Sequence, residues 1–332
     1  MKIGRLYVDG LGAVEGESIG KDVVSQGELV FTTSPSGYIK SITDPSYSGQ
    51  ILVFSFPFIG SYGINERGES ERPRVRGVVV NHVPELLKSE FSDYLEKWGI
   101  PGLITRETRK IVDYIRINGN RLGAFGTDKF VDPYNSNLIN ETLEDRGREE
   151  GNLLLIDLGY KRNILEHLGE YYVSVIPYDK FDLKLIENVN GVLVSNGPGD
   201  PTYKDLVEFT KKLKIVIEKK PTLGICLGHQ LISLSLGMKT EKMKFGHRSI
   251  NHPVEDLLTG KTGITTHNHG FTVVFDKTKG VFERYKSMND GSNEGLQGDN
   301  FLTSQFHPEG GPGPVDELGI FNDFKRLIND YE

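Results

Sequence analysis

The chain has 332 residues, of which 37% are hydrophobic and 26% are charged. This length accommodates two domains of ordinary size, because a single hydrophobic core rarely grows beyond a few hundred residues. No apolar run approaches the roughly 20 residues that a membrane-spanning helix needs, so we do not expect a membrane protein. The net charge of -7 argues against a nucleic-acid-binding protein, which needs clustered Lys and Arg to neutralise phosphates.

Cysteine content indicates the compartment. Cys226 is the only cysteine, so the fold cannot contain an internal disulfide. Proteins without disulfides are typical of reducing compartments. The N-terminal segment alternates like a strand and lacks the long apolar centre of a secretory signal. We therefore expect a cytoplasmic protein.

The first part of the chain, residues 1–130, is dominated by short β-like runs separated by Gly, Pro, Ser and Asp. The clearest of these runs are residues 28–33, 51–54 and 75–80. Two amphipathic helices interrupt them, at about residues 84–98 and 107–118. This pattern predicts a β-rich α+β N-terminal domain.

A polar stretch at residues 131–150 has no sustained apolar period and is predicted to be a linker. After it, from residue 151 to residue 332, apolar strands alternate with amphipathic helices. The predicted strands are 153–157, 172–176, 191–195 and 222–225, and the predicted helices are 163–168, 204–218 and one from about 229. This alternation predicts an α/β domain with a mostly parallel sheet flanked by helices. Such sheets bind ligands at the carboxyl ends of their strands, where we expect the functional residues.

Cys226 stands where a predicted strand meets a predicted helix, in the segment LGICLGHQ at 223–230. Glycines two residues before and after it allow a sharp turn that exposes a nucleophile. The start of the helix favours the thiolate form. A lone cysteine after an apolar strand is also commonly an inert buried residue, so this segment alone leaves both interpretations open.

A second motif, QFHPE at 305–309, follows the strand-like run 301–304. A thiol nucleophile needs a general base, and the base needs an orienting group. His307 and Glu309 project to the same side of an extended segment. The carboxylate could therefore fix the imidazole tautomer while the other ring nitrogen faces the sulfur of Cys226. The tripeptide His307-Pro308-Glu309 by itself is weak evidence for a catalytic site. It becomes stronger evidence when it is paired with Cys226 at the end of another strand.

A third motif, VSNGPGDP at 194–201, is a glycine and proline loop directly after a buried strand. Such a loop can aim a backbone N–H at a developing oxyanion, and the loss of one such donor costs about 3 kcal/mol. Without the other two motifs, the loop indicates no more than a tight turn.

Together the three motifs resemble the class I glutamine amidotransferase domain, which has G-x-C-x-G-x-Q, a distant H-P-E and an upstream G-P-G loop. The resemblance implies a flavodoxin-like C-terminal domain in which Cys226 attacks the glutamine amide and forms a glutamyl thioester. It implies that His307 shuttles the proton to the leaving ammonia and that Glu309 orients His307. The amides of Leu227 and of the loop at Gly197 are then expected to stabilise the oxyanion.

Motifs in the N-terminal half indicate which kind of glutamine amidotransferase the chain resembles. The segments SGY at 36–38, TDPSYSGQ at 43–50 and PFIGSYG at 57–63 resemble signatures of the small, glutamine-hydrolysing subunit of carbamoyl-phosphate synthetase. Further similar segments are GYKRNI at 159–164, NHPV at 251–254, NHGF at 268–271 and PGP at 312–314. The resemblance spans essentially the whole chain. The chain departs from the family at Pro35-Ser36, where Met-Thr is usual, and at Glu107, where Asp is usual, which bears on partner contacts rather than on chemistry.

By this resemblance L-glutamine is held by residues of both domains: Ser46, Gly197, Gly199, Leu227, Gln230, Asn268, Gly270 and Phe271. No ATP-binding motif is recognisable, so we expect this chain to bind no cofactor. ATP and Mg are expected on a large ATP-dependent carbamoyl-phosphate synthetase subunit. That partner would receive ammonia through a protein interior and make carbamoyl phosphate from bicarbonate for pyrimidine and arginine biosynthesis.

Parts of the sequence also fit other functions. Four histidines could suggest a metal site, but no spacing matches a zinc pattern, so no metal site is expected; these are His247, His252, His267 and His269. The chain could serve another synthetase, such as those for anthranilate or GMP. It could also be a non-catalytic assembly subunit, or a peptidase or γ-glutamyl hydrolase built on the same turn.

Overall fold

The computed structural model describes residues 2–143, 151–169, 171–277 and 281–331. The chain divides into two compact units, Met1–Leu138 with Lys244–Ser249, and Ile139–Met243 with Ile250–Glu332. The predicted linker, 131–150, contains two short 3₁₀ turns, Pro133–Asn135 and Leu138–Glu141, and its residues 144–150 lie outside the described part. No helix in the described ranges is both long and apolar enough to cross a membrane.

The first unit contains a closed seven-stranded barrel in the order β1-β2-β6-β5-β4-β3-β7. Its strands are β1 (Ile3–Val8), β2 (Gly12–Gly20), β3 (Ser25–Thr32), β4 (Gln50–Phe54), β5 (Gly77–Val80), β6 (Pro101–Ile104) and β7 (Arg121–Phe125). The neighbours from β3 to β6 are parallel, and the remaining pairs are antiparallel. The closed pairing leaves none of these strands as an edge.

Three helices belong to the first unit: α1 (Tyr38–Thr43), α2 (Glu85–Lys97) and α3 (Thr108–Asn118). The helices α2 and α3 lie within the ranges predicted from their apolar spacing. The stripe of α3 buries Ile111 and Ile115 in a core shared with the barrel strands. Gly119 ends this helix with a φ of 84°, a conformation that a residue without Cβ adopts at little cost.

The second unit contains a nine-stranded sheet in the order β13-β12-β14-β15-β16-β11-β10-β8-β9. Its strands are β8 (Leu153–Asp157), β9 (Val173–Pro177), β10 (Gly191–Val194), β11 (Thr222–Ile225), β12 (Lys239–Asp256), β13 (Lys261–Val274), β14 (Phe282–Ser287), β15 (Asn293–Gln297) and β16 (Phe301–Ser304). The five strands from β16 to β9 form a parallel sheet. Antiparallel pairs of β12, β13, β14 and β15 extend it at one side.

Helices cover both faces of the parallel part: α4 (Arg162–Glu166), α5 (Lys204–Lys219), α6 (Leu227–Ser235) and α7 (Gly319–Tyr331). Alternate residues of β8 enter opposite cores, with Leu154 packed in the core of α5 and α6 and Leu155 in the core of α4 and α7. Each fully buried Leu or Ile contributes about 1.5–3 kcal/mol. This two-sided burial explains the continuous apolar strands, and it confirms the predicted α/β class.

Candidate active site

The turn between β11 and α6 holds Cys226 in an unusual backbone conformation. Its φ is 53° and its ψ is -102°, and within the described residues Cys226 is the one non-glycine residue with a positive φ. Such a conformation costs about 1–3 kcal/mol and persists only where the surrounding structure enforces it. The Cys226 amide donates to the carbonyl of Ser304 at 2.7 Å, and the Cys226 carbonyl accepts from the Gln230 amide at 3.1 Å. The turn is the sharp strand-to-helix connection that the sequence predicts.

Two glycines permit this turn because they let α6 approach the sheet closely. A Cβ at Gly228 would lie 2.2 Å from the carbonyl oxygen of Val194, and a Cβ at Gly224 would lie 2.6 Å from Cδ1 of Ile232. The Gly228 amide donates to the Ser195 carbonyl at 3.1 Å, which ties the first turn of α6 to the end of β10. Leu227, the first residue of α6, has an amide with no acceptor inside the helix.

The pairing of β11 with β16 brings the QFHPE segment next to the turn that holds Cys226. The strands β11 and β16 are parallel neighbours, with Ile225 opposite Ser304. Cys226 and the QFHPE segment therefore leave the carboxyl ends of adjacent strands. The His307 amide donates to the Thr266 carbonyl at 2.8 Å and fixes this segment against β13. His307 is 1% exposed and Cys226 is 2% exposed.

The His307 ring is oriented by Glu309, because Nδ1 of the imidazole lies 2.7 Å from Oε1 of the carboxylate. Nε2, the other ring nitrogen, makes no hydrogen bond of ordinary geometry with the described residues. The Cys226 thiol is nevertheless close enough to help raise the pKa of His307. In this arrangement the thiol proton can pass to Nε2 while Glu309 stabilises the resulting imidazolium.

A buried lysine completes the ion network. Lys161 follows the carboxyl end of β8, and its Nζ lies 3.2 Å from Oε1 of Glu309. The same ammonium donates to the carbonyl of Gly310, and the Lys161 amide donates to Oδ1 of Asn196 at 3.0 Å. Lys161 and Glu309 are each 1% exposed, so their charges interact with little screening by solvent.

These charges set the protonation of the pair. Burial by itself lowers the pKa of His307, but the charge of Glu309, its hydrogen bond to the ring and the nearby Cys226 thiol together outweigh burial and raise that pKa above the ordinary value. Burial by itself raises the pKa of Glu309, but Lys161 and His307 together lower it below the ordinary value. Lys161 also opposes the rise at His307, because like charges disfavour the imidazolium. The carboxylate is therefore ionised at neutral pH.

Polar groups surround the sulfur despite its burial. Nε2 of Gln305 donates to Sγ of Cys226 at 3.6 Å, and the thiol lies 3.9 Å from the Asn268 carbonyl. Gln230 donates from its Nε2 to the Phe271 carbonyl at 3.0 Å and to Oε1 of Gln305 at 2.9 Å. The thiol thus has polar neighbours in addition to the apolar side chains packed around it.

The glycine and proline loop lies beside this turn, because β10 is the other parallel neighbour of β11. A Cβ at Gly197 would lie 2.1 Å from the Leu158 carbonyl oxygen, so only glycine fits there. Gly199 has a φ of 104°, which also favours glycine. Asn196 donates from Nδ2 to the Gly159 carbonyl at 3.1 Å and links the loop to the end of β8.

Most residues predicted to bind glutamine lie in the second unit, on the segments just described: Gly197, Gly199, Leu227, Gln230, Asn268, Gly270 and Phe271. Ser46 lies in the first unit, in a 3₁₀ turn whose Asp44 carboxylate accepts from the Ser46 amide at 2.9 Å. The role of all eight in binding glutamine stays a prediction.

Sequence reasoning gave no role to Lys161, Gln305 or Asn196. Lys161 lies in the segment GYKRNI, Asn196 in VSNGPGDP and Gln305 in QFHPE. Their roles depend on the pairing of the strands, which the motifs do not reveal. This pairing places the carboxyl ends of β8, β10, β11 and β16 side by side at one edge of the sheet.

Two protein-family models match this chain. Residues 154–327 match the family model described as glutamine amidotransferase class-I. Residues 6–125 match the model described as carbamoyl-phosphate synthase small chain, CPSase domain. The two matches together cover all or part of every strand of the barrel and of the parallel sheet.

Several relatives are similar over nearly their whole length, and each is named carbamoyl phosphate synthase small chain. The protein of Caldanaerobacter subterraneus subsp. tengcongensis is 41% identical over 350 residues, which covers 99% of this chain and 97% of that protein. The protein of Bacillus cereus is 38% identical over 343 residues, with 96% and 93% covered. The protein of Thermoplasma acidophilum is 38% identical over 335 residues, with 96% and 95% covered.

Proposed function

This chain belongs to the carbamoyl-phosphate synthase small-chain family, whose class-I amidotransferase region makes it a glutamine-hydrolysing subunit, and on that premise we propose how its residues hydrolyse glutamine. Cys226 gives its proton to Nε2 of His307, and the thiolate attacks the side-chain amide carbon of glutamine. The tetrahedral oxyanion accepts hydrogen bonds from the amides of Leu227 and Gly197.

Release of ammonia follows from the same imidazole. His307 returns the proton to the amide nitrogen, the C–N bond breaks, and ammonia leaves a glutamyl thioester on Sγ. His307 then takes a proton from water, which attacks the thioester carbon. Glutamate departs when the sulfur takes back the proton from His307.

One observation carries this proposal. The 2.7 Å contact between His307 and Glu309 leaves Nε2 of a buried imidazole for the thiol of a conformationally strained Cys226. Glu309 keeps His307 in one tautomer and stabilises its charged form, so the ring can both accept and return a proton. The oxyanion donors and the remaining glutamine contacts are assigned by family resemblance.

Ammonia produced in this way needs an acceptor on another protein. A small chain implies a larger partner chain. We propose that this partner is the large ATP-dependent synthetase subunit and that ammonia reaches it through a protein interior. ATP and Mg then act on the partner, this chain binds no cofactor for glutamine hydrolysis, and the complex works in the cytoplasm.

Glutamate release measures the proposal directly. We expect Cys226→Ser to lower glutaminase kcat by about a thousandfold or more, because the hydroxyl is a poorer nucleophile at neutral pH. Wild type and variant are assayed with and without the large subunit, and γ-glutamyl peptides serve as competing substrates. Equal glutamate release by both proteins, or a preference for γ-glutamyl peptides, would refute the assignment.

A further inference from the structure

Three buried side chains of the second unit converge near the glutaminase site, on the strands β13 and β15. His267 and His269 lie on β13, and Glu294 lies on β15, which pairs with β13 at Val273 and Asn293. The two histidines are two residues apart on a strand and therefore face the same side. One nitrogen or oxygen from each of the three side chains lies within 4.8 Å of the others. His267 is 2% exposed and Glu294 is 0% exposed.

The hydrogen bonds of His269 fix its tautomer. Nδ1 lies 2.8 Å from the carbonyl oxygen of Phe271, which can only accept, so Nδ1 carries the proton. In the neutral ring Nε2 then holds a lone pair. This nitrogen points at Nδ1 of His267, at a distance of 3.1 Å.

The tautomer of the neutral His267 ring is fixed in the same way. The Thr265 hydroxyl donates its single proton to the His252 carbonyl at 2.9 Å. It therefore accepts from Nε2 of His267, which lies 2.7 Å away. In the neutral ring Nδ1 of His267 then also holds a lone pair. Between two neutral rings the facing nitrogens present lone pairs to each other, an arrangement that repels unless a proton or a metal cation lies between them.

The carboxylate supplies the charge that such a cation needs. Oε2 of Glu294 lies 3.6 Å from Nδ1 of His267, and its Oε1 accepts from the Ser292 hydroxyl at 3.1 Å. Ligand atoms of one four-coordinate zinc ion lie about 3.3 Å apart, because Zn–N and Zn–O bonds are about 2.0–2.2 Å long. The separations of 3.1 Å and 3.6 Å are close to this value.

We propose that His267, His269 and Glu294 form a binding site for a divalent transition-metal ion of the zinc class. Nδ1 of His267, Nε2 of His269 and a Glu294 oxygen are its ligands. The outer hydrogen bonds from His267 to Thr265 and from His269 to the Phe271 carbonyl are those that orient metal-binding imidazoles in proteins. This site departs from the expectation of no metal, because its third ligand is distant in sequence and no zinc spacing predicts it.

A bound ion would join β13 to β15 next to the glutaminase site. His269 lies between Asn268 and Gly270, both predicted to bind glutamine, so the ion would hold this segment of β13 in one position. It takes no part in the proton transfers of His307. The metal site and the proposed glutaminase chemistry can therefore succeed or fail independently.

Cobalt binding tests the site in a protein that lacks the thiol. In Cys226→Ser protein, freed of metal by a chelator, titration with Co²⁺ is expected to give the visible absorption of a tetrahedral Co²⁺ complex with one ion per chain. Zn²⁺ is expected to displace it and to raise the thermal melting temperature, because an ion that binds the native state stabilises that state. The thiol cannot contribute to either signal.

Matched variants assign the ligands. His267→Gln and Glu294→Gln, each in the Cys226→Ser protein, are expected to weaken Co²⁺ binding by at least about tenfold. His82→Gln, which removes an exposed histidine of the first unit, is expected to leave binding unchanged. Melting in the absence of metal checks that each variant folds, and the isosteric Glu294→Gln remains decisive if His267→Gln does not fold. No saturable binding to the Cys226→Ser protein, or equal binding by the folded Glu294→Gln variant, would overturn the proposal in favour of a metal-free hydrogen-bonded chain.

Discussion

At the residue scale, the ion network around His307 is more extensive than a catalytic dyad. Lys161 contacts Glu309 but not the reacting atoms, so it is a positioning residue whose charge adjusts the pKa of both neighbours. Cys226, His307 and Glu309 could be proposed from the sequence because two short motifs contain them. The role of Lys161 could not, because its contact with Glu309 depends on β8 and β16 ending at the same edge of the parallel sheet, with β11 and β10 between them.

Removing the charge of Lys161 is expected to move the pH profile of glutamine hydrolysis. Lys161 lowers the pKa of Glu309 and of His307, so Lys161→Met raises both. The carboxylate then loses its charge at a higher pH, and the imidazolium keeps its proton to a higher pH. Both limbs of the kcat/KM profile should move to higher pH by roughly one unit, which corresponds to about 1.4 kcal/mol.

Lys184→Met is the matched control, because Lys184 is an exposed lysine of the same unit. Its profile should superimpose on that of the wild type. If Lys161→Met lowers the rate at every pH without moving either limb, Lys161 is only structural, and the electrostatic account of the site is wrong.

At the element scale, the parallel sheet could be predicted well and its antiparallel extension could not. The predicted strands 153–157, 222–225 and 301–304 agree with β8, β11 and β16, because strands buried on both faces are continuous apolar runs. The strands β12 and β13 are long and carry many polar and charged residues, so neither alternation nor an apolar run marks them. The helix α6 begins at Leu227, earlier than predicted, because the turn at Cys226 is tighter than propensity alone suggests.

The close packing of α6 against the sheet gives a prediction for Gly228→Ala. The added methyl would lie 2.2 Å from the Val194 carbonyl oxygen, so α6 must move away from β10 and carry Cys226 with it. Because a displacement of about 1 Å can cost about a hundredfold in rate, we expect kcat to fall by at least that factor. The free energy of unfolding should fall by about 1–3 kcal/mol. Glutamate release and urea unfolding measure the two effects.

Gly319→Ala provides the comparison, since a Cβ there meets no atom within 4 Å. This variant should keep both its activity and its stability. A Gly228→Ala protein with wild-type kcat would mean that the turn tolerates displacement, and the geometric argument for the nucleophile would fail.

At the scale of the whole molecule, the chain contains a barrel and a nine-stranded sheet, and the sequence predicts the sheet better than the barrel. The α/β class of the second unit follows from strand and helix alternation, whereas closure of the barrel depends on the pairing of β1 with β7, which are far apart in the chain. The assignment of segment Lys244–Ser249 to the first unit was equally beyond local pattern, because β12 passes through both units. Motif resemblance still identified the family, because signatures lie in both halves.

We expect this chain and a larger synthetase chain to carry out separate steps of carbamoyl phosphate synthesis. If this chain only supplies ammonia, a complex of Cys226→Ser with the large synthetase subunit should lose glutamine-dependent carbamoyl phosphate synthesis and keep synthesis from added ammonia. The reason is that the thioester requires the sulfur, whereas bicarbonate activation and carbamate phosphorylation would take place on the other chain. Carbamoyl phosphate is measured with each nitrogen source, so the ammonia assay also shows that the complex is assembled and active. Loss of both activities in a correctly assembled complex would mean that this chain shares in the later chemistry, and undiminished glutamine-dependent synthesis would exclude Cys226 as the nucleophile.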